Sequence, residues 1–168
     1  MKRKISIELY EEHENVNFYT LQFEGEDTEF DKFLDKFPED SEYDEDINII
    51  IKWIDKIGER GADERHFRPE GKFRDSVCAI PTYVKCNLRL YLIRLNDNIV
   101  ILGNGGVKRT KTYNEDSALN EMVKLLQEVD RYLEQRMRTG KVSIYKKSIY
   151  GNLEFTVNTE DDEKKSQT

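Results

Sequence analysis

The segment that most constrains this chain is Leu88-Arg89-Leu90-Tyr91-Leu92-Ile93-Arg94-Leu95, then Asn96-Asp97-Asn98, then Ile99-Val100-Ile101-Leu102. Two apolar runs of strand length flank a polar link that favours tight turns, so the chain must contain an antiparallel hairpin that demands a covered face. Ser76 to Ile80 reads as a further strand, stopped by Pro81. Gly103-Asn104-Gly105-Gly106 is expected to end the last strand or bulge it.

Around this hairpin the periods alternate. Residues 4–10 and 16–23 repeat apolar and polar positions every second residue, and the polar link Glu11 to Asn15 suits a second hairpin. Thr28 can cap a short helix carrying Phe30, Phe33, Leu34 and Phe37 before Pro38. Asp40 to Asp46 reads as an acidic loop. Ile47, Ile50, Ile51, Ile54 and Ile57 predict an amphipathic helix that stops at Gly58 or Gly61. Residues 59–74 read as an irregular basic loop. With Ser117 as N-cap, Leu119, Met122, Val123, Leu126, Val129, Leu133 and Met137 form a helical stripe that runs to Gly140. Residues 141–157 alternate again, with Gly151-Asn152 as a turn candidate. Strands cluster without a regular βαβ alternation, so the expected class is α+β, a mostly antiparallel sheet with helices packed on one face and extra N- and C-terminal strands.

Composition and charge narrow the class. A chain of 168 residues fits one domain, here expected over residues 1–158, with 159–168 as a disordered acidic tail. No apolar run is long enough to span a bilayer. Met1-Lys2-Arg3-Lys4 leads into Ile5-Ser6-Ile7-Glu8 instead of an apolar stretch, so no signal peptide is expected. Cys78 and Cys86 make no disulfide framework. The expectation is a cytoplasmic protein without membrane contact.

The net charge of −7 is unevenly spread. Residues 24–46 carry −10, whereas residues 47–159 carry +6. A basic body can meet phosphate. The acidic stretch is either a solvated helix face and loop or a screen over a basic site.

Candidate chemistry is sparse. Gly103 to Arg109 lacks the spacing of a phosphate-binding P-loop. His13, His66 and the cysteines show no zinc-site spacing, no nucleophile elbow occurs, and no cofactor or metal is expected. What stands out is basic. Arg89 and Tyr91 share one face of their strand, and Lys108, Arg109, Lys111 and Tyr113 follow the next strand. The hairpin would bring them to one surface, as ordinary outer-face residues paired with carboxylates or as a phosphate site. In the second case Arg and Lys could neutralise charge on a phosphate, and Tyr could stack on a base or move a proton.

These pieces resemble, in order, the RelE/HigB-like toxins of bacterial toxin–antitoxin systems. The resemblance covers about residues 17–138. It is carried by Phe18 to Phe23, Ile54-Asp55-Lys56-Ile57-Gly58, Phe67-Arg68-Pro69-Glu70-Gly71-Lys72, Ala79-Ile80-Pro81, Leu88-Arg89-Leu90-Tyr91, and Gly106-Val107-Lys108-Arg109-Thr110-Lys111-Thr112. It implies a RelE-like α+β domain that cleaves mRNA without a metal or small-molecule cofactor, on or off the ribosome. By position, Arg89 and Arg109 would stabilise the phosphate, Lys108 or Lys72 would add charge or act as base, and Tyr113 would stack or transfer a proton. Arg68, Lys72, Tyr91 and Lys111 would contact RNA. The implied partners are mRNA, the ribosome and a cognate antitoxin, a small helix-turn-helix protein. The chain departs from the family in its N-terminal strand, its −10 segment and its C-terminal hairpin. The alternative is therefore a non-catalytic protein-binding module on the same fold, derived from a phage or mobile element.

Overall fold

A computed structural model of the chain describes residues 1–70, 76–83, 85–108 and 117–159. Strands β1 (Lys2–Glu12) and β2 (Asn17–Phe23) form an antiparallel hairpin. Helices α1 (Glu29–Asp35) and α2 (Asp44–Arg60) follow, then one 3₁₀ turn over Glu64–His66. Strands β3 (Arg68–Pro69), β4 (Val77–Ile80), β5 (Leu88–Asn96) and β6 (Ile99–Val107) come next. Helix α3 (Ser117–Arg138) and strands β7 (Val142–Tyr145), β8 (Ser148–Gly151) and β9 (Glu154–Asn158) complete the chain. Seven strands form one sheet in the order β3-β4-β5-β6-β2-β1-β9, while β7 and β8 pair only with each other. The sheet is antiparallel except where β2 runs parallel to β6. The α+β class and the added terminal strands agree with the sequence reading.

Local signals explain much of this. The Thr28 side chain accepts from the Asp31 N–H at 3.2 Å and so caps α1. The isoleucines of α2 turn Ile47, Ile50, Ile54 and Ile57 inward, and Gly61 ends the helix at φ +107. Because α2 begins at Asp44, the last residues of the expected acidic loop are helical. They sit in a first turn, where carboxylates interact favourably with the helix dipole.

Helices cover both faces of the sheet, not one. Leu88, Leu90 and Leu92 of β5 pack with α1 and α2, whereas Tyr91 and Ile93 pack with Val123, Leu126 and Val129 of α3. A strand apolar at successive positions cannot leave either side to water. Strand β6 likewise runs past Leu102 to Val107, with a register shift opposite Leu90–Leu92. Gly103 to Gly106 thus bulge the strand without ending it. At the C-terminus the tight turn is Lys146-Lys147, not Gly151-Asn152, which instead leads into β9 on the edge of β1. No described helix is long and apolar enough to cross a membrane. The expected disordered tail lies almost wholly outside the described residues.

Candidate functional site

Strand alternation gathers a charged cluster at one corner of the α3 face. Arg68 pairs with Ala79, Ala79 with Tyr91, and Arg89 with Gly106. Residues directly opposite one another point to the same side, as do those two apart along a strand. Arg68, Arg89, Glu70 and Lys108 therefore share one face, the last two lying just beyond their strands. The Glu70 N–H donates to the Val77 carbonyl at 3.0 Å and the Lys108 N–H to that of Asn87 at 2.7 Å, which extends both ladders to these residues.

Glycine permits the convergence. A Cβ on Gly105 would lie 1.8 Å from the Arg89 carbonyl oxygen, so β5 and β6 meet there only because a side chain is missing. The glycine-rich stretch is a strand device, as the sequence reading preferred over a nucleotide loop.

Among the described residues the cluster is unbalanced. Arg68 Nε lies 3.4 Å from Glu70 Oε1. Arg89 is only 4% exposed, and its Nη1 donates to the Pro81 carbonyl at 3.0 Å. Burial, then the charge of Arg68, lowers the affinity of Arg89 for its proton, although a guanidinium keeps its charge in proteins. The positive charge of Arg89 is the main cause pushing the Lys108 ammonium down, with burial and Arg68 adding and Glu70 opposing. Burial raises the Glu70 carboxyl above its ordinary value, against the pull of Arg68, Arg89 and Lys108. Three cations thus face one carboxylate whose own charge is disfavoured by burial. An incoming anion would relieve that excess.

Of the residues singled out in the sequence, Arg68, Arg89 and Lys108 come together. Tyr91 is corrected: at 3% exposure it belongs to the core beneath α3, so it is no stacking platform for a base. Lys72, Arg109, Lys111 and Tyr113 lie outside the described residues. Glu70 escaped the sequence reading, although Arg68-Pro69-Glu70 at strand spacing already put the two charges on one side.

The acidic segment is more than a solvated face. The Asp46 carboxylate accepts from the Asn87 N–H at 2.9 Å, and Lys36 donates to the Gly105 carbonyl at 2.7 Å. Both contacts brace the backbone beside the cluster from the opposite face. Cys86, beside Asn87, is buried and Cys78 half-buried; both are free thiols. Burial pushes the Cys86 thiol up, which makes it a poor nucleophile.

Elsewhere the donor atoms of Glu11, His13 and Asp55 lie within 4.8 Å of one another. His13 Nε2 is 2.5 Å from Glu11 Oε1, and its ring packs against Gly58, where a Cβ would come within 2.4 Å. The ring contact with Gly58 seats the β1–β2 loop on α2. Comparison with protein-family models, with curated proteins and with solved structures returns no match.

Proposed function

We propose that the Arg68–Glu70–Arg89–Lys108 corner binds the phosphodiester of RNA, and that the chain acts as a metal-independent endoribonuclease of the RelE/HigB toxin type, with an antitoxin as the partner that restrains it. The observation that carries this reading is the excess of positive charge among the described residues: three cations from neighbouring strands around one half-buried carboxylate. In internal phosphoryl transfer the 2′-oxygen attacks phosphorus, its proton leaves to a base, and the bond to the 5′-oxygen breaks as that oxygen gains a proton. The products are a 2′,3′-cyclic phosphate and a 5′-hydroxyl. Charge on the phosphoryl oxygens grows toward two along the way, and an excess of two positive charges favours that state over the singly charged ground state. Arg68 and Lys108, the more exposed cations, would face the phosphate. Arg89 would act from behind through its field and its hold on Pro81. Glu70, with its raised pKa, is suited to take the 2′-proton.

One observation favours a second reading. Arg89 is sealed, and its hydrogen bond to Pro81 serves a structural clamp equally well. The corner would then receive an acidic segment of a protein partner without chemistry. The test is induced expression with mapping of RNA 5′-ends, with and without ribosomes. Growth arrest and cyclic-phosphate products, both lost in Arg68→Ala/Lys108→Ala, are expected for the enzyme. A wild-type chain that neither arrests growth nor cuts RNA ends that reading.

A further inference from the structure

The β7–β8 hairpin carries a second surface that the cation cluster does not explain. In its register Ser143 faces Tyr150 and Tyr145 faces Ser148. Tyr145 and Tyr150 are therefore diagonal neighbours on one side, about 7–8 Å apart by the geometry of paired strands. Val142 and Ile149 point the other way into the core under α3, and the Ile149 N–H donates to the Tyr19 hydroxyl at 3.1 Å, which fixes the hairpin on the body. Lys147 strengthens the anchor by donating to the carbonyls of His13 and Glu14 at 2.7 and 3.1 Å. Tyr145 and Tyr150 are left 64% and 53% exposed on a rigid support.

The charge on this hairpin opposes that of the chain. Residues 141–151 include Lys141, Lys146 and Lys147 and no carboxylate, within a protein of net charge −7. The turn itself is unusual. Lys146 adopts φ +54, a conformation that such hairpins usually give to Asn or Gly. Its ammonium sits 5.4 Å from the Tyr145 ring centroid, so the tip presents a cation beside an aromatic face.

We infer that this hairpin is a stacking platform for single-stranded RNA, with unpaired bases on Tyr145 and Tyr150 and the intervening phosphates near Lys146 and Lys141. Sequence-tolerant binding of single strands needs exposed aromatic faces interleaved with cations, and an acidic peptide would gain little from two aromatic faces. The inference rests on the RNA reading above for its ligand but not on cleavage.

The test uses the full chain and a fluorescein-labelled 12-mer of deoxythymidine, which lacks the 2′-hydroxyl and cannot be cleaved by internal transfer, alongside a 12-mer of uridine. Tyr145→Ala/Tyr150→Ala should weaken binding of both about tenfold or more, while Tyr145→Phe/Tyr150→Phe keeps it. Lys146→Ala should flatten the slope of log affinity against log salt by about one. Circular dichroism checks that each variant is folded. Wild-type affinity in the folded double-alanine variant would overturn the platform and leave the cleavage reading standing. Tyrosine-dependent binding by a chain that never cuts RNA would keep the platform and remove the nuclease. A wild type that binds neither oligonucleotide overturns the platform, whether or not it cleaves on ribosomes.

Discussion

Two arginines of β5, Arg89 and Arg94, stand five residues apart and meet opposite surroundings. Arg94 donates through Nε to the Ala62 carbonyl at 2.7 Å, and its Nη atoms lie 2.5 Å from Asp97 and 3.8 Å from Glu64. One cation there answers two carboxylates and one carbonyl, and it ties the β5–β6 turn to the end of α2. At the other end, among the described residues, Arg89, Arg68 and Lys108 crowd around the single carboxylate of Glu70. Both ends carry a β5 arginine, so an arginine by itself does not mark a site. The marker is the balance, because a satisfied cluster has no demand for a ligand and an unsatisfied one does. The variants below are chosen to break or sharpen that contrast.

The largest effect should come from Gly105→Ala. Its Cβ would fall 1.8 Å from the Arg89 carbonyl, so β5 and β6 must separate, and a loss of about 4 kcal/mol or failure to fold is expected. At Gly106 the new Cβ would meet Leu119 Cδ2 at an ordinary 3.5 Å. Gly106→Ala should therefore cost under about 1 kcal/mol. Urea melts of the pair measure the difference. Equal losses would mean that the close strand contact does not define the cluster.

Activity should separate the two ends next. If the corner is catalytic, Arg68→Ala/Lys108→Ala should slow RNA cleavage by about 100-fold or more, the scale of removing a preorganised donor from a transition state. Arg94→Ala, assayed well below its melting temperature, should leave the rate unchanged. A slowed Arg94 variant would show that the balanced end matters to the chemistry as well.

Much of this contrast was legible in local sequence, and the reasons for the remainder are physical. The β5–β6 hairpin, the α2 isoleucines and the α3 stripe announce themselves because period and turn chemistry act over a few residues. The cover on both faces was also written in Leu88 to Leu95, where consecutive apolar positions leave no wet side, although the expectation of one bare face obscured it. The parallel pairing of β2 with β6 was not legible, since it joins segments some 80 residues apart by a contact that leaves no local pattern. For the site, Arg68, Arg89 and Lys108 could be chosen as basic residues near strands. Their imbalance could not, because it depends on β3 returning beside β4 and carrying Glu70 under Arg89. Tyr91 was misassigned for a related reason: alternation gives the face of a strand but not what lies on top of it.

Stability of the two arginine variants comes third. Arg89→Ala empties a buried site and strands the Pro81 carbonyl, so about 2 kcal/mol of destabilisation is expected, within the range for an orphaned buried group. Arg94 is partly exposed, and its carbonyl partner can turn to water, so Arg94→Ala should lose about 1 kcal/mol. Inorganic phosphate adds the sharper readout. Bound at the corner to 100 times its Kd, it would stabilise the wild type by about 2.7 kcal/mol. That increment should persist in Arg94→Ala and vanish in Arg68→Ala/Lys108→Ala, as read from melting curves at constant ionic strength.

The smallest effect is a pH dependence confined to Glu70. Burial raises its carboxyl above the unfolded value of 4.5, so the folded chain holds this proton more tightly than the unfolded one. The stabilisation from that proton is complete below the unfolded pKa and is lost as pH rises through the folded pKa. Glu70→Gln carries the neutral isostere at every pH and escapes the loss. The stability difference, Glu70→Gln minus wild type, should therefore rise as pH climbs from 4 toward 7, by a small amount because the three neighbouring cations partly offset the burial. Denaturant midpoints of Glu70→Gln and wild type across that range read the sign. If Glu70→Gln instead weakens relative to wild type with rising pH, the cations dominate burial at Glu70, and the corner is a satisfied salt bridge like its counterpart at Arg94.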